Sequence, residues 1–247
     1  MASEGETQTT ASLLVEFYIK EGRTSEAKDT AKLRGRELSK EEIDSLVKNS
    51  IARGKVQGAQ EAAKLREREL SKEELDSLVK SCIEMGKVQG VQEAIRLGAS
   101  KETVDSVVEI YIKRGRAYDA ETMAKLGASK EAIDSVVALC IEQGRISSAQ
   151  RVAKLRGKEL SKEELDSLVK SCIRQGRTPE AQKATKLLGR ELSKEELNSL
   201  IENGIENGLF FDAEEAAKLR GRGLSKEEIG RLEVTEPTSL EEYPGVF

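Results

Sequence analysis

The segment LSKEELDSLVKSCI occurs twice without a change, at residues 70–83 and 160–173. A sequence that repeats itself at a fixed period folds as repeats, because each copy needs its neighbour to bury an apolar face. Counted from the serine, repeats begin at Ser39, Ser71, Ser100, Ser129, Ser161, Ser193 and Ser225, with a divergent copy starting near Thr7. The spacing is 32 residues except for two successive repeats of 29. Longer repeats are joined by RGREL (34–38) or a close variant, and the short ones by Gly98-Ala99 and Gly127-Ala128. Only the connecting loop changes, which packing tolerates. The expected layout is a flexible N-terminus (1–6), a repeat array (7–232) whose last member at 225 is partial, and a C-terminal tail (233–247).

Each repeat reads as two helices. The first opens with a capping box, a serine followed three residues later by glutamate: Ser39/Glu42, Ser71/Glu74, Ser161/Glu164, Ser193/Glu196 and Ser225/Glu228. Ser100 and Ser129 keep the cap but carry Thr103 and Ala132 at the glutamate position. Leu75, Leu78, Val79, Cys82 and Ile83 then recur at helical spacing. A glycine closes the helix in every full repeat: Gly22, Gly54, Gly86, Gly115, Gly144, Gly176 and Gly208. The second helix carries a small-residue column at Ala27, Ala59, Val91, Ala120, Ala149, Ala181 and Ala213. Six residues on lies a leucine column at Leu33, Leu65, Leu97, Leu126, Leu155, Leu187 and Leu219. Alanine is expected to let paired helices approach, and leucine to fill the groove toward the next pair. The fold class that follows is all-α, an α-solenoid of stacked antiparallel helical hairpins.

A glycine between two helices, a basic residue after it and an alanine four residues further resembles the tetratricopeptide and pentatricopeptide repeat superfamily. The stretch SLVKSCIRQGRTPEAQKATKL (167–187) carries the resemblance best, in its pentatricopeptide form. The resemblance implies a right-handed superhelix and, for the pentatricopeptide branch, a first helix that reads single-stranded RNA. Aligned on the glycine, the base-reading position falls on Asp44, Asp76, Asp105, Asp134, Asp166 and Asn198. The position that sandwiches bases falls on Glu41, Glu73, Glu102, Glu131, Glu163, Glu195 and Glu227. Rows of carboxylates repel phosphates and offer no stacking platform. Nucleic acid is therefore disfavoured at this face, and a protein or a basic peptide is the expected partner.

Composition narrows the chemistry further. Charged residues make up 35% of the 247 and aromatics 3%, and there is no histidine. The net charge of −4 supplies no bulk attraction to a polyanion. Without histidine, a phosphate loop or a ligand cluster, neither catalysis nor a metal or cofactor is expected. Cys82, Cys140 and Cys172 share a helix column with Tyr18, Ser50, Tyr111 and Gly204, which suits buried packing. No apolar run approaches membrane-spanning length and the start MASEGETQTT lacks secretory features, so a cytoplasmic protein with no membrane partner is expected. The row Glu41, Asp44, Glu73, Asp76, Glu102, Asp105, Glu131, Asp134, Glu163, Asp166, Glu195 and Asn198 is the first candidate interface, joined by Phe210 and Phe211. Non-catalytic protein binding or scaffolding is thus the leading reading. RNA binding through the basic second-helix column (Lys32, Lys64, Arg96, Lys125, Lys154, Lys186, Lys218) and a structural module without a ligand are the alternatives. The tail, with Tyr243 and Phe247, is expected either to cap its own array or to insert into a second copy as a homo-oligomer contact.

Overall fold

The computed structural model describes residues 4–235, with side chains over 12–232. Among them are fifteen helices. In chain order they are α1 (Glu4–Lys20), α2 (Thr24–Leu33), α3 (Lys40–Ala52), α4 (Val56–Leu65), α5 (Lys72–Glu84), α6 (Val88–Arg96), α7 (Lys101–Lys113) and α8 (Ala117–Ala124). They continue with α9 (Lys130–Glu142), α10 (Ile146–Leu155), α11 (Lys162–Arg174), α12 (Thr178–Leu187), α13 (Lys194–Glu206), α14 (Phe210–Leu219) and α15 (Lys226–Thr235). Beyond Thr235 the expected tail lies outside the described residues.

The chain divides into two compact units, residues 1–111 with 122–129, and residues 112–121 with 130–247. In the first, α1 pairs with α2, α3 with α4 and α5 with α6, while α1, α3 and α5 stack side by side. In the second, α9 pairs with α10, α11 with α12 and α13 with α14, and α9, α11, α13 and α15 form the corresponding stack. Each unit is an α-solenoid segment of antiparallel hairpins.

All five predicted capping boxes form. At Ser71, for instance, the hydroxyl accepts from the Glu74 amide at 3.2 Å and the Glu74 carboxylate accepts from the Ser71 amide at 2.8 Å. The same pair closes even the partial last repeat, at Ser225 and Glu228. The small-residue column is buried throughout, with Ala27, Ala59, Val91, Ala120, Ala149, Ala181 and Ala213 all at 0% exposure. The cysteine column lies beneath the glycine turn of the preceding repeat: Cys82 Sγ is 3.7 Å from the Gly54 carbonyl and Cys172 Sγ 3.7 Å from that of Gly144. Burial raises all three thiols, Cys140 and Cys172 to about 11, which suits packing and not reactivity.

The leucine column corrects an expectation. It does not fill the groove between hairpins: Leu33 is 88% exposed, and Leu97, Leu155, Leu187 and Leu219 are 39–45% exposed. The column sits at the end of each second helix, where the chain is already leaving for the loop. The groove is filled one turn earlier, by Ala63, Ala94, Ala153 and Ala184 with Ile95 and Val152, all buried.

Side chains of one repeat also cap the first helix of the repeat before it. Lys55 Nζ donates to the Glu21 carbonyl at 2.7 Å, Lys87 Nζ to that of Arg53 at 2.7 Å, and Asn203 Nδ2 to that of Ile173 at 2.8 Å. Carbonyls at a helix end lack partners in their own helix and carry its negative pole. Lys55 and Lys87, the basic residues after Gly54 and Gly86, therefore tie repeats together as well as starting a helix.

Glu67 is the one described non-glycine residue at positive φ, +57°. Other repeats place Gly35, Gly157, Gly189 and Gly221 there. A side chain in this conformation costs roughly 1 kcal/mol. Glu67→Gly is expected to raise the melting temperature by about 2–4 °C; a thermal melt with no rise counts against the assignment of strain.

Candidate partner interface

The two acidic columns of the first helices face different surroundings. The aspartate column is spent on junctions between repeats. Where the loop is long, an arginine at the end of the second helix reaches back to it. Arg66 donates to Asp44 Oδ1 at 2.9 Å and to Glu74 Oε1 of the next repeat at 2.8 Å. Arg156 does the same with Asp134 at 2.7 Å and Glu164 at 2.7 Å. Where the loop is three residues shorter, that arginine is missing and the aspartate itself reaches the next helix. Asp76 Oδ1 accepts from the Ser100 amide at 2.8 Å, and Asp105 Oδ1 from the Ser129 amide at 2.7 Å. Asp166 has only a loose contact with Arg190, at 3.8 Å. Asn198 takes part in no such bridge, and its Oδ1 is buried without a hydrogen-bond partner.

The glutamate column faces solvent. In the first unit Glu41, Glu73 and Glu102 are exposed, and in the second Glu131, Glu163 and Glu195. None of them makes a salt bridge among the described residues. Hydrogen bonds from the helix's first-turn backbone amides, and then from Ser39, Ser71, Ser161 and Ser193, hold Glu41, Glu73, Glu163 and Glu195 below the usual carboxylate range. These groups are fully charged at neutral pH. Phe210 and Phe211 open α14 at the interhelical turn, with ring centroids 5.6 Å apart at 86°, and Phe211 is 81% exposed.

One group of side chains went unnoticed at the sequence level. In the second unit the interhelical turns read KRGR, EQGR and RQGR (113–116, 142–145, 174–177), six cations against one acid. The basic residue after each glycine was visible, but which arginines remain unpaired depends on three-dimensional neighbours. Arg114, Arg145 and Arg174 are exposed, and their side chains make no hydrogen bond or ion pair. By contrast the loop arginines Arg36, Arg68, Arg190 and Arg222 are each held by a capping-box glutamate at 2.6–2.9 Å.

No family model matches the chain, and no curated protein matches it significantly. Among solved structures, the pentatricopeptide repeat protein PPR10 from maize aligns with 92% of this chain and 35% of its own, at 17% identity and a TM-score of 0.33. The chain thus spans about a third of that protein's length. Within each unit the chain's own helices pair as hairpins and stack. No helix among the described residues is long and apolar enough to cross a membrane.

Proposed function

We propose that the chain is a non-catalytic binding or scaffolding module whose exposed glutamate row receives a basic segment of a partner protein. The observation that supports this reading is the division of labour between the two columns. Asp44, Asp76, Asp105 and Asp134 are occupied within the chain, whereas Glu41, Glu73 and Glu102, and likewise Glu131, Glu163 and Glu195, are exposed and make no salt bridge. Rows recurring with each helix, at about 10 Å, suit lysines or arginines along an extended or helical peptide. The row repels a phosphate backbone, which places RNA second.

The test is fluorescence anisotropy of a lysine- and arginine-rich peptide, with a single-stranded RNA of equal charge magnitude as the comparison. Each exposed pair contributes up to about 1 kcal/mol. Replacing Glu41, Glu73 and Glu102 by glutamine is therefore expected to weaken peptide binding by about tenfold, steeply so at low salt. Tight RNA binding by the unaltered chain, undiminished by an excess of the peptide, would overturn the reading.

A further inference from the structure

The first repeat departs from the others on the face that carries the glutamate row. One turn after each glutamate stands an exposed serine: Ser45, Ser77 and Ser106 in the first unit, and Ser135, Ser167 and Ser199 in the second. In α1 that position holds Leu13, and a turn later Phe17 stands where α3 has Asn49 and α5 has Ser81. Leu13 is 61% exposed and Phe17 51%. The core does not need them, since α1 is packed through the buried Val15 and Ile19. Leu14 is a separate case: it holds the stacking position that Leu46 and Leu78 fill in the next two hairpins.

Leu13 and Phe17 form one wall of a groove of about 610 Å³ between α1 and α3. Glu41, Ser45 and Asn49 line the facing wall. Asn49 Nδ2 donates to the Ile19 carbonyl at 2.9 Å, so the two walls are already tied together. Glu16 and Glu41, both exposed, border the groove and make no salt bridge among the described residues. Glu42 also borders it but is held by Arg36 at 2.7 Å. Lys20, the one cation of the lining, stands at the turn end, so positive charge is favoured on the Glu41 side alone.

This groove supplies what the glutamate row lacks. Evenly spaced like charges hold a basic chain equally well in every register, and it can slide by one repeat. An apolar anchor at one end removes that degeneracy, because burying a leucine there has no equivalent at the serines. A second copy presenting the same face would set Glu16 and Glu41 against their own kind, so charge favours a basic partner. Spacing fixes its form: neighbouring first helices lie about 10 Å apart, and three extended residues span about 10 Å.

We propose that the groove between α1 and α3 anchors the partner's basic segment. An apolar side chain of leucine size or larger seats on Leu13 and Phe17. From there an extended chain crosses α3, α5 and α7, with a lysine or arginine at every third residue opposite Glu41, Glu73 and Glu102. This inference rests on the reading that the glutamate row receives a basic segment, and it adds the anchor, the direction and the spacing.

Fluorescence anisotropy of three peptides of equal charge on the full chain tests both separately. The first has a leucine followed by lysine at every third residue, the second has serine in place of that leucine, and the third keeps the leucine but carries lysine at every second residue. The first is expected to bind about tenfold more tightly than either other. L13S/F17N gives α1 the residues that α3 carries at Ser45 and Asn49, and a thermal melt verifies that it folds. In this variant the first peptide should fall to the level of the second, whose own binding stays unchanged. Equal binding of the first two peptides by the unaltered chain overturns the anchor and leaves the glutamate row standing, whereas binding of none overturns both. A leucine preference that survives in L13S/F17N, or a third peptide as tight as the first, also overturns the proposal. So does a dimer in sedimentation that L13S/F17N dissolves and the leucine peptide does not, which assigns the face to a second copy.

Discussion

Gly176→Ala is expected to destabilise the protein far more than Gly86→Ala, although the two glycines share one backbone conformation. Both have φ of +68°, so both substitutions carry the same left-handed penalty, about 1 kcal/mol. They differ in what a Cβ would meet. At Gly86 there is nothing within 4 Å, whereas at Gly176 the new atom would stand 2.5 Å from Gly204 N and 2.6 Å from Gly204 Cα. Those are backbone atoms of the next repeat's first helix, which cannot rotate aside as a side chain can. Separating α11 from α13 forfeits close packing around Leu168 and Leu200, both at 0% exposure. Overpacking of this kind adds about 1–3 kcal/mol. The melting temperature should therefore fall by roughly 10 °C for Gly176→Ala and by about 2–4 °C for Gly86→Ala. Equal losses in thermal melts would show that the close approach of the two helices contributes nothing.

That contact also explains why the size of one buried column varies from repeat to repeat. Tyr18, Ser50, Cys82, Tyr111, Cys140, Cys172 and Gly204 share one position, and the smallest member stands opposite the tightest turn. Burial of this column was readable from its neighbours on the helix face. So were the capping boxes and glycine turns, because each depends on residues within one turn of itself. The fate of the aspartates was not. Asp44 and Asp76 occupy the same place in their repeats, yet one meets an arginine and the other a backbone amide. The difference lies in the loop that follows, more than twenty residues downstream. The leucine column misled for a related reason: helical spacing predicts a face, but at Leu33 or Leu219 the helix has ended and the next hairpin stands one turn back. The arginine edge was legible as basic residues near each glycine, and only the neighbours in space separate Arg145, left free, from Arg156, held by two carboxylates.

Acid is expected to destabilise the array as pH falls below about 4.5, where carboxyls held low only in the folded chain begin to take up protons. Every capping box joins a glutamate to a serine amide and, through an arginine of the preceding loop, to the previous repeat. Burial alone would push Glu74 up, but Arg68, Arg66 and the Ser71 amide outweigh it and hold the carboxyl at about 2. Arg222, working against burial, holds Glu228 at about 2. Glu42, Glu164 and Glu196 are lowered by Arg36, Arg156 and Arg190 in the same way. A carboxyl lower in the folded than in the unfolded chain binds fewer protons when folded, so its stabilisation is complete above the unfolded value of 4.5 and drains as pH falls toward 2. Each partly open site contributes on the order of 1 kcal/mol after solvent screening, and five of them act together. Between pH 6 and pH 3 the melting temperature should drop by roughly 10–20 °C. In R66M/R68M the Glu74 share disappears, so its pH dependence should be shallower by about a fifth although the protein is less stable at neutral pH. The glutamate row adds to the acid loss through its own first-turn hydrogen bonds, and the difference between R66M/R68M and the unaltered chain isolates the arginine bridge. A melting temperature that holds steady from pH 6 to pH 3 would mean that the arginine–glutamate bridges do not bind one repeat to the next.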